Sequence, residues 1–278
     1  MKTVGFIDYY LDEWHANNYP DMIKNQSGGE FEVKYAYAAI EPPFEDRISN
    51  NEWSQKYDIP LVDSIEKIVE LCDYIIVLSP DNPEMHYELS KKALESGKPV
   101  YIDKTFATNK AEALKIFEIA EKHNTPCYSS SALRFSSNLK TIDRQGINTV
   151  ISVAGGPVEI YLIHQLEPIA ALMGTDVEKV MFIGNYNTAA WLLNFSDGRT
   201  AEIHMLSGDF DFCLHVNREN SNQRVILDDD FFQGFIDGML EFFRTGEILV
   251  SHKDTANIMG LIEACFKAMQ NKGEWINL

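Results

Sequence analysis

Apolar positions in the first half of the chain fall in short runs separated by amphipathic stretches. Residues 3–7, 31–39, 74–78 and 100–102 read as strands, with Val33, Tyr35 and Tyr37 as β-formers in the second. The run Tyr74-Ile75-Ile76-Val77-Leu78 is continuous, the pattern of a strand covered on both faces. Helical spacing fills the intervals. One helix starts near residue 12 and is interrupted by Pro20, and a polar one covers 50–57. A third, capped by Asp63 or Ser64, carries Ile65, Ile68, Val69 and Leu71. A fourth ends at Gly97, and a fifth, 110–124, leads to a strand at 126–129. Strands alternating with helices predict βαβ units and a parallel sheet.

The second half changes rhythm. Residues 149–153 read as a strand, and 162–173 as an apolar helix closed by Gly174. Extended segments then follow one another at 177–183, 189–195, 200–206, 212–216 and 224–227. Ser196-Asp197-Gly198-Arg199 is a hairpin signal, Asp-Gly supplying positive φ angles. Helices at 230–245 and 254–272 follow. The expected fold is α/β: a Rossmann-like, doubly wound parallel sheet over residues 1–132, then an α+β domain with a mostly antiparallel open sheet over 133–278.

Composition narrows the function. Acidic side chains outnumber basic ones 42 to 24, a formal charge of −18. That surface repels phosphate backbones and anionic membranes, so neither is an expected partner. No apolar run approaches the roughly 18 residues that span a bilayer, and the first residues enter a strand without a leader pattern. Cys72, Cys127, Cys213 and Cys265 are widely spaced, as reduced thiols in a cytoplasm are. No metal site is expected. Asp228-Asp229-Asp230 directly precedes a helix and reads as N-capping. Asp209 and Asp211 alternate with Phe210 and Phe212 as on a half-exposed strand.

Doubly wound sheets bind ligands at the carboxyl ends of their strands. The first such turn normally carries three glycines that admit a pyrophosphate. Here Asp8, Tyr10 and Glu13 stand at those positions, with Asp12 adding a further carboxylate. A carboxylate about 4 Å from a phosphate costs on the order of 4 kcal/mol at an effective dielectric near 20. Asp12 and Glu13 also suit a helix N-terminus, where negative charge complements the dipole.

Several segments resemble one family in order. Ser79-Pro80-Asp81-Asn82-Pro83-Glu84-Met85-His86 resembles a T-P-N-x-x-H segment, and Ala93-Leu94-Glu95-Ser96-Gly97-Lys98-Pro99-Val100 an A-L-x-x-G-K-H-V run. Asp103-Lys104-Thr105 stands at its E-K-P, Arg134-Phe135 at its R-F, and His164-Gln165-Leu166-Glu167 at its H-x-x-D. Asp197-Gly198 matches its F-x-D-G hairpin. The family is Gfo/Idh/MocA, which includes inositol and sugar dehydrogenases. The resemblance spans nearly the whole chain. It departs at the glycine turn, at Thr105 for proline, and at Ile160, beside Glu159, where the dehydrogenases carry aspartate.

The resemblance implies an oxidoreductase that moves a hydride to or from a hydroxyl of a sugar, polyol or inositol-like compound. NAD or NADP would be its cofactor. It implies catalytic roles for Lys104 and His164 in proton transfer, which a lysine or histidine performs and a nearby cation assists by stabilising an alkoxide. Asp8, Tyr10, Leu11, Ser79, Pro80, Asn82, His86 and Asp103 would border the cofactor. His15, Arg134, Glu159 and Glu167 would border the substrate. A homodimer or homotetramer would form through the second-domain sheet. Other roles stand beside these: a strand-end lysine for Lys104, a core or interface residue for His164, a helix-surface residue or one lying behind the ligand-contacting layer for His86, and a helix cap for His15. The alternative is a small-ligand-binding or regulatory relative without dinucleotide.

Overall fold

The computed structural model describes residues 1–185, 187–208 and 210–278. Asp209, read above as part of a strand, lies outside them. The chain divides into two compact units. The first comprises 1–130 and 236–252, the second 131–235 and 253–278. The sequence division at 132/133 is a single cut, whereas segment 236–252 packs with the first unit.

The first unit contains a five-stranded parallel sheet in the order β2-β1-β3-β4-β5. Its strands are β1 (Lys2–Asp8), β2 (Phe31–Ala38), β3 (Tyr74–Val77), β4 (Val100–Ile102) and β5 (Cys127–Tyr128). The helices between them are α1 (Trp14–Gln26), α2 (Asn50–Tyr57), α3 (Ile65–Leu71), α4 (His86–Leu94) and α5 (Lys110–Lys122). The apolar runs dictate this burial: Ile75, Ile76 and Val77 are fully buried, as expected of a strand covered on both faces. α3 comes so close to β1 that a Cβ on Gly5 would lie 2.7 Å from both Cys72 Sγ and Ile68 Cγ2. A glycine there is a packing requirement. Ser64 stands at the N-cap of α3 but makes no side-chain capping bond. Ser49 instead forms a full capping box with Glu52 at α2.

Two helices link the units. α8 (Phe231–Thr245) begins in the second unit, and its later turns belong to the first. There Phe243 packs against Phe31 and Tyr74, and Phe242 against Tyr128. His252, the first residue of α9 (His252–Gln270), stacks on Phe117 with ring centroids 4.0 Å apart.

The second unit carries a seven-stranded mixed sheet in the order β11-β10-β6-β9-β8-β7-β12. Its strands are β6 (Ile147–Gly155), β7 (Val177–Phe182), β8 (Ala189–Phe195), β9 (Thr200–Leu206), β10 (Cys213–Arg218), β11 (Ser221–Ile226) and β12 (Trp275–Asn277). Only β6 and β9 pair parallel; every other ladder is antiparallel. α6 (Ser137–Lys140) and α7 (Val158–Met173) precede or follow β6, and the Trp191 indole donates to the Cys265 carbonyl of α9 at 3.0 Å. The β8–β9 hairpin turns at Asp197-Gly198 as expected. Gly198 alone takes a positive φ (88°), while the Asp197 carboxylate accepts from the Arg199 amide. The four cysteines are buried free thiols, two in each unit.

The triple aspartate caps helices. Asp230 accepts from the Gln233 amide in the first turn of α8 at 3.1 Å. Asp229 accepts from the Ser136 hydroxyl and from the Ser137 amide and hydroxyl at the start of α6. Burial pushes the Asp229 carboxyl upward, but those three donors outweigh it and leave it below the ordinary carboxylate range. A lowered folded value means stability that is present above the unfolded carboxyl range and is lost as pH falls through the folded value. Asp229→Ala should therefore cost about 1 kcal/mol at pH 7, with the gap closing under acid. Urea unfolding of both proteins at neutral and acidic pH checks this; a gap that stays constant with pH would disprove the linkage.

Candidate functional site

Expected site residues fall in both units, and each group is built separately. In the first unit they lie at the carboxyl ends of β1, β3 and β4. The β1 turn is closed on itself. Asp8 is 1% exposed, and its Oδ1 accepts from the Tyr9 amide at 2.7 Å. The Leu11 amide donates to Asn50 Oδ1 at 3.1 Å, and Asn50 Nδ2 donates to the Ile40 carbonyl at 2.7 Å. Asn50 thus braces the turn against the segment after β2. Sequence reasoning missed it, because an asparagine opening a polar helix carries no distinguishing signal. Asp12 does similar work, accepting from Asn17 Nδ2 and from the Ile48 amide.

Glu13 is the N-cap of α1. It is 2% exposed, and its carboxylate accepts from the His15 amide at 2.7 Å and from the Ala16 amide. The helix N-terminus, where a dinucleotide's pyrophosphate would seat, is filled by a side chain of the chain itself. His15 stands over this cap. Its Nδ1 lies 2.9 Å from Glu13 Oε2, and its Nε2 lies 3.8 Å from Asp103 Oδ2. Burial works against a charged ring, but the carboxylates of Asp103 and Glu13 outweigh it and raise the His15 pKa. Glu13 rather than His15 caps α1, and the His15 ring lies between Glu13 and Asp103.

The cluster is strongly acidic. Burial, then the neighbouring Glu13 charge, pushes the Asp8 carboxyl well above the ordinary range, although its own amide bond opposes this. Among the described residues Asp8 Oδ2 and Asp103 Oδ2 have no hydrogen-bond partner. Tyr10 is 5% exposed, and burial pushes its hydroxyl up to about 12. The turn as built does not fit a pyrophosphate in the usual pose: its amides are taken, and the nearby charge has the wrong sign.

Lys104 follows β4 and is 7% exposed. Its Nζ reaches the Pro80 carbonyl at a long 3.4 Å, and the Lys104–Thr105 peptide is cis. Ser79, in positive φ, bonds through its hydroxyl to the Asn82 carbonyl, so the segment after β3 holds its own shape. His86 departs from the helix-surface reading. It is fully buried, its Nε2 2.7 Å from the Leu78 carbonyl and its Nδ1 3.1 Å from the Phe106 carbonyl. Burial lowers its pKa. A neutral ring donates to one carbonyl only. The residue ties the segments after β3 and β4 together from inside the core.

In the second unit, His164 and Glu167 lie one turn apart on α7. His164 Nδ1 pairs with the Ser131 hydroxyl at 2.7 Å, and the ring packs edge-on against Tyr161 and Phe212. Arg134 Nε bonds Glu167 Oε2 at 2.5 Å with both side chains largely buried, and Arg134 Nη2 is left without a partner. Glu159, in the first turn of α7, is exposed. A cavity of about 260 Å³ opens beside this group, lined by Gly155, Gly156, Pro157, Tyr161, Asp211 and Phe212. A larger one, about 910 Å³, lies by the ends of β7, β8 and β9, with Lys272 the one charged lining residue among those described. None of the expected site residues lines it. The chemistry gathers instead around His164, so the smaller cavity is the better candidate. Among the described residues no helix is long and apolar enough to cross a membrane.

Comparison with known proteins accords with this architecture. The myo-inositol 2-dehydrogenase of Lactobacillus plantarum superposes with a TM-score of 0.81 at 14% identity, covering 100% of this chain and 99% of that one. The apo scyllo-inositol dehydrogenase of Lactobacillus casei gives 0.79 at 13% identity, covering 99% and 98%. GenD2 from gentamicin A biosynthesis, crystallised with NAD, gives 0.81 at 9% identity, covering 100% and 96%. At such identities the likeness is one of fold. No curated protein matches the chain. Residues 23–130 match the model of the Gfo/Idh/MocA oxidoreductase family, described as an NAD-binding Rossmann fold. Over that segment the chain is similar to the Gfo/Idh/MocA oxidoreductase family, and beyond it the likeness to these structures is one of fold.

Proposed function

We propose that this protein is an oxidoreductase acting on a hydroxyl of a sugar, polyol or inositol-like compound, with NAD or NADP as its redox partner. The observation that carries the reading is Lys104. A nearly buried ammonium at the carboxyl end of β4, held at 3.4 Å by one carbonyl, keeps donors for a substrate oxygen. As the ammonium it stabilises a developing alkoxide, and only as the neutral amine does it take the hydroxyl proton, becoming ammonium as it does so. His164, oriented by Ser131, is the second proton carrier, and the Arg134–Glu167 pair holds the substrate's polar groups. The partner is a small molecule, the compartment cytoplasmic, and the assembly a homodimer or homotetramer through the sheet of the second unit. The test is turnover, followed by nicotinamide absorbance, with NAD and NADP and a panel of inositols, polyols and sugars. Absence of turnover across the panel with folded protein would sink the reading.

A second reading is favoured by Glu13. With the α1 amides held internally, the chain acts as a small-ligand-binding or regulatory relative without dinucleotide. It predicts that neither NADH nor NADPH binds up to millimolar concentration, while a hydroxylated ligand raises the melting temperature.

A further inference from the structure

The β1 turn shows more than a missing glycine pattern. Three features converge on one point. The Glu13 carboxylate holds the His15 and Ala16 amides, two of the donors at the α1 N-terminus. Asp8, 1% exposed, adds a second carboxyl with an unpartnered Oδ2, and it feels the Glu13 charge. Asn50 holds the Leu11 amide, so the backbone of the turn is fixed in this closed form. His15 Nδ1 stands 2.9 Å from the Glu13 carboxylate.

We infer that Glu13 is an internal competitor of the dinucleotide: its carboxylate occupies the anion-binding helix terminus that a pyrophosphate needs, and nucleotide binding requires its displacement. The competition is intramolecular. The carboxylate is tethered directly before the amides it holds, so its effective concentration there far exceeds any free ligand's. A nucleotide therefore loses affinity by the factor with which the capped state outweighs the open one. The inference extends the oxidoreductase reading by naming what limits its cofactor, and its test separates the two.

NADH is titrated by fluorescence and calorimetry into the wild type, Glu13→Ser, Glu13→Gly and Glu13→Gln, with thermal melts confirming folding. Serine keeps a helix cap but carries no charge and is too short to cover both amides; it guards against a glycine variant that fails to fold. Glutamine keeps an acceptor on the same amides. The expected result is NADH binding at least tenfold tighter in Glu13→Ser and Glu13→Gly than in the wild type, with Glu13→Gln between. The overturning result is a folded Glu13→Ser that binds NADH no more tightly than the wild type, whether both bind or neither does. Turnover by the same variants is read separately. Tighter binding without turnover leaves the inference standing and removes the oxidoreductase reading.

Discussion

Replacing Lys104 by methionine should lower turnover by about 10²–10⁴-fold, the range a positioned proton-transfer group supplies, while the melting temperature changes little. The side chain is 7% exposed, and its stem is packed, so methionine preserves most of the apolar contact. What it removes is the ammonium. That group's bond to Pro80 is long, and a long bond adds little to stability. Activity and stability should therefore separate. Steady-state kinetics with the best substrate from the panel, beside thermal melts, decides the matter. Parallel losses in both would mark Lys104 as a structural residue, as an ordinary strand-end lysine would be.

A second large effect is expected in the other unit. Trp191 in β8 is fully buried, packs against Phe182, and donates to the Cys265 carbonyl of α9. Trp191→Ala removes the largest side chain joining that helix to the sheet. It should destabilise the second unit by about 3–5 kcal/mol. Trp191→Phe keeps most of the volume and loses the bond, so it should cost nearer 1 kcal/mol. Urea unfolding with a probe placed in the second unit measures both. A loss below about 2 kcal/mol for the alanine variant would show that α9 is held by other contacts.

Much of this was legible in the sequence. The βαβ rhythm of the first half follows from short apolar runs and amphipathic intervals, and both appear in the residues themselves. The Asp197-Gly198 hairpin was legible because turn chemistry is local. β12 was not: Trp275–Asn277 is three residues long, and its extended form comes from pairing with β7. Residues 236–245 read as helix from their pattern, but which unit they pack with is decided by Phe242 and Phe243 meeting partners far along the chain. In the site, the acidity of the β1 turn was plain. That Glu13 would hold two amides was a matter of cap geometry, and Asn50 gave no signal at all. His86 shows the limit from the other side. A histidine on a polar-looking helix start lies wholly in the core because two carbonyls meet its ring.

The buried cysteines allow the two units to be timed independently. Cys72 and Cys127 lie in the first unit, Cys213 and Cys265 in the second, and none is more than 8% exposed. Burial raises the Cys72 thiol to about 12 and pushes Cys127 and Cys265 upward as well, so these three present little thiolate in the native protein. Alkylation must await local or global opening. With one unit's pair replaced by alanine or serine, the labelling rate becomes a stopwatch for the other unit. It reports whether a ligand that steadies one half also quiets its neighbour.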